Sequence, residues 1–280
     1  MPVSASPVRG RRVYATLELP ALLALLFAAA AAWFFLSYVP RERTQAVESW
    51  RRDLSVRADV RKDAIQRFFV DGLADAEVFA SYPTVLEVLG TAFADAGSLA
   101  AHLEELFDSY VRIHGIVGVV LWDAEGKVAA RSRDIQVEAA CAAPAREVLA
   151  SGSPATGLHL HEGFGPILTF AAPVRLPDGS VRGAVVVAED PRKWLYPLLS
   201  QPLAGTTSGE SFLVGRDGAD AVSLSPRRGR LDAPLRFRRP LDTLGSSARA
   251  ALEGTEAVGR FVDYRGVPVL AVGRRIPPSP

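Results

Sequence analysis

One cysteine in 280 residues narrows what this chain can be. Cys141 has no second thiol to pair with, so an internal disulfide and any multi-cysteine metal site are excluded. Its neighbours Ala139, Ala140, Ala142 and Ala143 are apolar, the setting of a buried structural thiol rather than a reactive one. Charge of one sign is not in excess either. The 32 Lys and Arg face 31 Asp and Glu, so no basic footprint for nucleic acid exists. Gly-x-Ser-x-Gly, His-Glu-x-x-His and P-loop signatures are all missing, and the carboxylates are scattered among basic residues as on a solvated surface. These absences leave no catalytic centre, no metal site and no cofactor to expect.

What is present begins with an apolar run. Leu19–Val39 is 21 residues without a charge, and an apolar helix needs about 20 residues to cross a bilayer core. Tyr38 sits where interfacial aromatics usually do. The alanine tract before Trp33 offers a signal-peptidase-like site, but the apolar run continues through Trp33, Phe34, Phe35 and Leu36, which favours an uncleaved anchor. Arg9, Arg11 and Arg12 precede the span, and Arg41, Arg43, Arg51, Arg52 and Arg57 follow it. Flanking charge therefore does not set the orientation.

Residues 41–80 contain no Pro and one Gly, Gly72. Val47, Trp50, Leu54 and Ala58 form an apolar stripe at helical spacing. Arg61 interrupts it, and it resumes at Ala64, Ile65, Phe68, Phe69 and Leu73. The pattern predicts one long helix ending before Pro83, with a further helix from Thr84. The stripe packs on its own domain or, in the membrane-proximal part, forms a homodimer seam. Residues 98–114 are again helical, with Leu99, His102, Leu103, Leu106 and Tyr110 on one side.

Short β-branched runs follow. Ile116–Trp122 and Val128–Arg131 flank the turn Asp123-Ala124-Glu125-Gly126, and Ala143–Ala150 reads as a helix. Gly157–Glu162, Pro166–Arg175 and Val181–Ala188 read as strands, the last two joined by Leu176-Pro177-Asp178-Gly179. Trp194–Leu199 is a short helix. After the linker Ala204–Gly209 the design restarts: strands at Ser211–Val214 and Ala221–Leu224 around Arg216-Asp217-Gly218, a helix at Ser246–Leu252, and a hairpin of Val258–Asp263 with Val267–Arg274. VVLWDAEGKVAARS aligns in pattern with SFLVGRDGADAVSL, and GPILTFAAPVR with GVPVLAVGRRI, about a hundred residues apart. The first copy has a further strand, Val181–Ala188. The second has no counterpart for it, so an exposed sheet edge is expected there.

Residues 207–241 (TSGESFLVGRDGADAVSLSPRRGRLDAPLRFRRPL), 253–277 (EGTEAVGRFVDYRGVPVLAVGRRIP) and 182–199 (RGAVVVAEDPRKWLYPLL) carry a family resemblance. With the span and the long helix, they resemble the double Cache, PAS-like sensor region of bacterial membrane receptors such as sensor histidine kinases and diguanylate cyclases. The resemblance covers about residues 19–276. It implies an α/β (α+β) architecture: a transmembrane helix and a long stalk helix, followed by two PAS-like modules with antiparallel sheets, the second lacking its final strand. It also implies a small-molecule ligand in the membrane-distal module and a location outside the bacterial cytoplasmic membrane. The corresponding organisation is a cytoplasmic tail over 1–18, the span over 19–39, the stalk over 40–82, the distal module over 83–203 and an incomplete proximal module over 204–280. Family members continue into a second span and an output domain. This chain carries no kinase, cyclase or methyl-accepting segment, so it is expected to be a non-enzymatic sensing region truncated before its output.

Candidate ligand contacts come from two places. His159 and His161, at i and i+2 on a strand, share a face. That face is solvated, holds a metal with Glu162 or His114, or lines the ligand pocket, and the solvated reading is favoured over the metal. Tyr110, Arg112 and His114 stand just before the first strand and Trp122 ends it; an aromatic and a guanidinium there suit a carboxylate. The residue set of the family's amino-acid-binding subgroup is not found, so an amino-acid ligand is not expected. Asp190-Pro191 with Trp194, and Asp263 to Arg265, read as caps and turns. A tethered protein-interaction module is the alternative function. A secreted hydrolase is a weaker third reading, since no nucleophile and base can be paired.

Overall fold

The computed structural model describes residues 15–90, 96–133, 139–201, 206–243 and 246–277. Residues 1–14 of the N-terminal tail, and Ala204 and Gly205 of the expected linker, lie outside them. The chain divides into two compact units, Met1–Leu54 and Ser55–Pro280.

The first helix, α1, runs from Ala15 to Ala80 and passes through Pro20 and Pro40 without a break. A proline inside a helix lacks one amide donor and crowds the preceding turn, at a cost of about 3 kcal/mol. Thr44 Oγ1 donates to the Pro40 carbonyl at 2.9 Å, a local side-chain bond one turn after the proline. Within Met1–Leu54 the apolar side chains are open, Phe27 and Leu36 each 78% exposed. This stretch of α1 is long and apolar enough to cross a membrane.

In the second unit α1 changes character. Ile65, Phe69, Ala76, Phe79 and Ala80 are buried along one face. Arg61, which breaks the apolar stripe in the sequence, does so for a reason visible here: its guanidinium donates to the Gln201 carbonyl at 2.6 Å and also bonds Ser211. Two more helices, α2 (Pro83–Gly90) and α3 (Ala96–His114), pack beside α1. His102, expected on the packed side of α3, is exposed, and Phe107 takes the core position instead.

Five strands form one antiparallel sheet: β1 (Gly118–Asp123), β2 (Val128–Arg131), β3 (Ala155–His161), β4 (Gly165–Arg175) and β5 (Val181–Glu189), in the order β2-β1-β5-β4-β3. Side chains alternate between its faces. Val119, Leu121, Leu168, Phe170, Val185 and Val187 face the core with α1, α2 and α3. Val120, Trp122, Ile167, Ala171, Ala184, Val186 and Ala188 face α4 (Ala139–Ser151). β4 and β5 are covered on both faces, which is why they read as near-continuous apolar runs. The α1 backbone comes close to the sheet at Gly72, where a β-carbon would lie 2.5 Å from the Phe170 ring.

After α5 (Leu195–Ser200) the chain builds two smaller sheets. β6 (Val214–Asp217), β7 (Asp220–Ser223) and β8 (Arg238–Pro240) pair in the order β6-β7-β8, and β9 (Ala257–Val262) pairs with β10 (Pro268–Gly273). The helix α6 (Ser246–Leu252) contacts β6, β9 and β10. The expected strand at Ser211–Val214 begins at Val214 instead. The hairpin turns at Gly218-Ala219, because Gly218 takes φ 60° and lets Asp217 pair directly with Asp220. Ser211–Leu213 approaches as extended chain, with the Leu213 amide donating to Ser225 Oγ at 2.9 Å. β8 was not expected from the sequence. Among the described residues no strand pairs with the outer edges of β6 and β10.

Candidate functional site

The α4 face of the five-stranded sheet carries the most unusual polar group. His159 lies on β3 opposite Ile167 of β4. Two residues earlier, Gly157 has no side chain, and a β-carbon there would fall 2.5 Å from His159 Nε2 and 3.0 Å from Thr169 Oγ1. The glycine thus leaves room for the imidazole to lie over the strand backbone. Thr169 is fully buried, and its hydroxyl donates to the Gly157 carbonyl at 3.0 Å. Among the described residues His159 Nε2 is buried without a hydrogen-bond partner, and burial pushes the imidazole pKa below its usual value. A buried nitrogen left unpaired carries a desolvation cost of about 1–3 kcal/mol. A ligand group that bonds it recovers that cost. His161 follows on the same face.

Beyond this pair, the ends of β4 and β5 hold a fixed cation. Asp190 is 9% exposed; its Oδ1 accepts from the Arg192 amide at 2.9 Å and from Arg192 Nε at 2.8 Å, and its Oδ2 from Arg192 Nη2 at 3.0 Å. The Arg192 guanidinium stacks over Phe164 at 4.8 Å. Asp190 does not cap α5, whose N-cap is Trp194 without a side-chain bond; it closes the turn before that helix and clamps the Arg192 guanidinium.

The other candidate residues are placed elsewhere. Trp122 shares the α4 face, and its Nε1 is also buried and unpartnered among the described residues, but its cross-strand line runs through Ala184 to Pro173. His159 aligns with Ile167, six residues further along β4, or about 20 Å away. Tyr110, Arg112 and His114 lie on the last turns of α3, on the opposite side of the sheet. The Tyr110 hydroxyl donates to Asp75 Oδ2 at 3.1 Å, and its ring stacks on His114 at 4.0 Å. Arg112 is exposed and reaches Ser109 Oγ at 3.2 Å. The six residues are thus not gathered into one site: His159 and His161 stand together, Trp122 at the other end of their face, and the α3 trio behind the sheet.

Two groups escaped the sequence reading. Glu189, at the end of β5, has a carboxyl pushed up to about 7 by burial and by the Asp75 charge. Only its place at the close of an apolar strand could have signalled it. Arg227 is 6% exposed inside an aromatic box, its guanidinium 3.4 Å from the Phe212 ring centre, 5.0 Å from Tyr264 and 5.6 Å from Phe237. Its Nε donates to Ser223 Oγ at 2.9 Å. Burial lowers its pKa to about 10, against the opposing pull of Glu210. Tyr264 is held by Glu210 Oε2 at 3.2 Å, and the turn that carries it is closed by Asp263 Oδ1 accepting from the Arg265 and Val267 amides.

The sequence matches no protein-family model and no curated protein. Solved structures do resemble it. The extracellular domain of mmHK1S-Z2, named as a histidine kinase, superposes with a TM-score of 0.58 at 10% identity, over 81% of this chain and 92% of that one. The fold is that of the Cache-type sensor domains. The sensor domain of the Vibrio cholerae histidine kinase DctB gives a TM-score of 0.44 at 14% identity, over 52% of this chain and 58% of that one. The ligand-binding domain of the Campylobacter jejuni chemoreceptor Tlp3, solved with L-valine, gives 0.45 at 16% identity, over 57% of this chain and 66% of that one. The chain therefore spans less than two thirds of the DctB and Tlp3 domains.

Proposed function

We propose that this chain is the ligand-sensing region of a bacterial membrane receptor, tethered by the apolar part of α1 and sensing a small molecule outside the cytoplasm. The observation that carries the reading is the buried, unpartnered His159 Nε2 above Gly157, on the α4 face of a Cache-type sheet. Its ligand is a small polar molecule that hydrogen-bonds the imidazole, with His161 beside it. The chain's organisation follows: a cytoplasmic tail over 1–18, a span over 19–39, a stalk over 40–82, a distal module over 83–203 and a proximal module over 204–280, with the stalk as a homodimer seam.

The route from ligand to stalk is short. β4 carries Ile167 and Thr169 on the ligand face and Leu168 and Phe170 on the other. Phe170 meets Phe68 and Phe69 of α1 edge-to-face, with ring centres 5.9 and 6.1 Å apart. A ligand that favours one position of β4 favours one position of α1, and the shift is limited to its difference in affinity between the two. A thermal-shift screen of the full chain in detergent, with carboxylates, amines and purines, tests the reading. At least one class is expected to raise the melting temperature, and His159→Ala is expected to abolish that rise. A folded chain that responds to none of them contradicts it.

A further inference from the structure

Away from the histidine pair, the second unit carries a pocket lined by other residues. A pocket of about 350 Å³ opens where the β3–β4 hairpin and α5 meet the loop between β7 and β8. Leu160, Pro166, Pro226 and Pro234 give it apolar walls, and Arg192 and Arg236 are its cations. We propose that this pocket is a second small-molecule site, and that it takes an apolar monocarboxylate.

Four observations lead there. Arg192 is fixed before any ligand arrives, by its two side-chain bonds to Asp190 and its stack on Phe164. Those bonds use Nε and Nη2, and Nη1 has no hydrogen-bond partner among the described residues. Arg236 has no side-chain hydrogen bond or ion pair among the described residues, so its fork is available to a carboxylate. The loop that carries Arg236 is strained: Leu235, between the pocket residues Pro234 and Arg236, has φ 59°, and no other described non-glycine residue has a positive φ. Such a conformation costs about 1–2 kcal/mol in an L-residue and collects at ligand clamps. Leu231, also of the lining, is 83% exposed and supplies further apolar surface at the mouth.

Asp190 already neutralises Arg192 and Asp232 is the lining's own carboxylate, so a bound anion is met by the unpaired fork of Arg236 and by the remaining Nη1 of Arg192 rather than by an excess of positive charge. The walls call for a hydrocarbon body, and the volume sits at the small end of ligand cavities, which suits a compact acid. A molecule lodged there touches both the five-stranded sheet and the loop of the three-stranded one. It therefore biases how those two parts pack, independently of His159.

Titration of the full chain in lipid nanodiscs with 4-methylpentanoate, followed by calorimetry, tests this. Saturable binding is expected, with at least tenfold weaker binding of the matching uncharged amide. Arg236→Gln is expected to weaken the acid at least tenfold with an unchanged melting temperature, since Arg236 is exposed and unpaired. His159→Ala is expected to leave it unchanged. No binding to the folded chain, equal binding of acid and amide, or an affinity that falls in His159→Ala but not in Arg236→Gln each overturns the proposal.

Discussion

His159 and Glu189 push stability in opposite directions as pH changes. Glu189 has a folded pKa of about 7, above the ordinary 4.5, so the folded chain holds its proton more tightly than the unfolded one. Its contribution is most favourable below about pH 4.5, is lost as pH rises to about 7, and is flat above that. His159 is lowered by burial, so its contribution is present above pH 6.5 and is lost as pH falls towards the folded value. Melting curves between pH 5 and 8 are expected to show this difference by substitution. Glu189→Gln should gain stability relative to the wild type as pH rises to 7, and His159→Phe should gain as pH falls below 6.5. Arg227 makes a third residue-scale case. A guanidinium among three aromatic rings, bonded to Ser223, is worth about 2 kcal/mol or more once desolvated. Arg227→Ala is expected to lose about 2–4 kcal/mol in urea unfolding, and a loss under 1 kcal/mol would show the box to be idle. Glu210 and Tyr264 lie in the two segments that carry the family resemblance, but their purpose depends on Phe212, Phe237 and Arg227 meeting across separate strands and loops, which no local pattern displays.

The elements differ in how far their own residues announce them. β4 and β5 read clearly because both faces are covered and nearly every position is apolar. The hydrophobic face of α1 was equally plain, with Arg61 as its one irregularity. β8 was silent: Arg238, Arg239 and Pro240 have no alternation to read, and only the ladder from Val222 and Ala221 makes them a strand. The α3 trio stands behind the sheet because α3 packs against α1, where Tyr110 meets Phe79, and which face of the sheet a helix covers is not written in its own residues. Gly72 shows the element-scale constraint most sharply. A branched side chain there must displace a Phe170 ring already enclosed by Phe68 and Phe69. Gly72→Val is expected to cost about 1–3 kcal/mol by chemical denaturation, despite better helix propensity than glycine. At the other extreme, β10 is hydrogen-bonded on one side and has no fully buried residue, whereas β5 lies between two partners. Hydrogen exchange is expected to be much faster along β10 than along β5, and equal protection would mean the open edge is covered.

At the scale of the second unit, a helix packed on one face of the five-stranded sheet and a polar group left unsatisfied among the described residues on its other face make one arrangement. The class of fold was legible because periodicity and turn signals agreed, whereas the repeat of strand patterns does not show that the C-terminal strands split into a three-stranded and a two-stranded sheet. The site was legible only in part. The i, i+2 spacing put His159 and His161 on one face, but the gap left by Gly157 and the distance to Trp122 follow from strand register, which a single sequence does not specify. The most direct test uses the small number of histidines, four in the chain. Histidine-selective nitrogen NMR of the full chain, with and without any small molecule that raises its melting temperature, reports on His159 itself. The account predicts that the His159 Nε2 resonance moves on binding while that of exposed His102 stays in place. Stabilisation by a ligand that leaves the His159 resonance unmoved would contradict it.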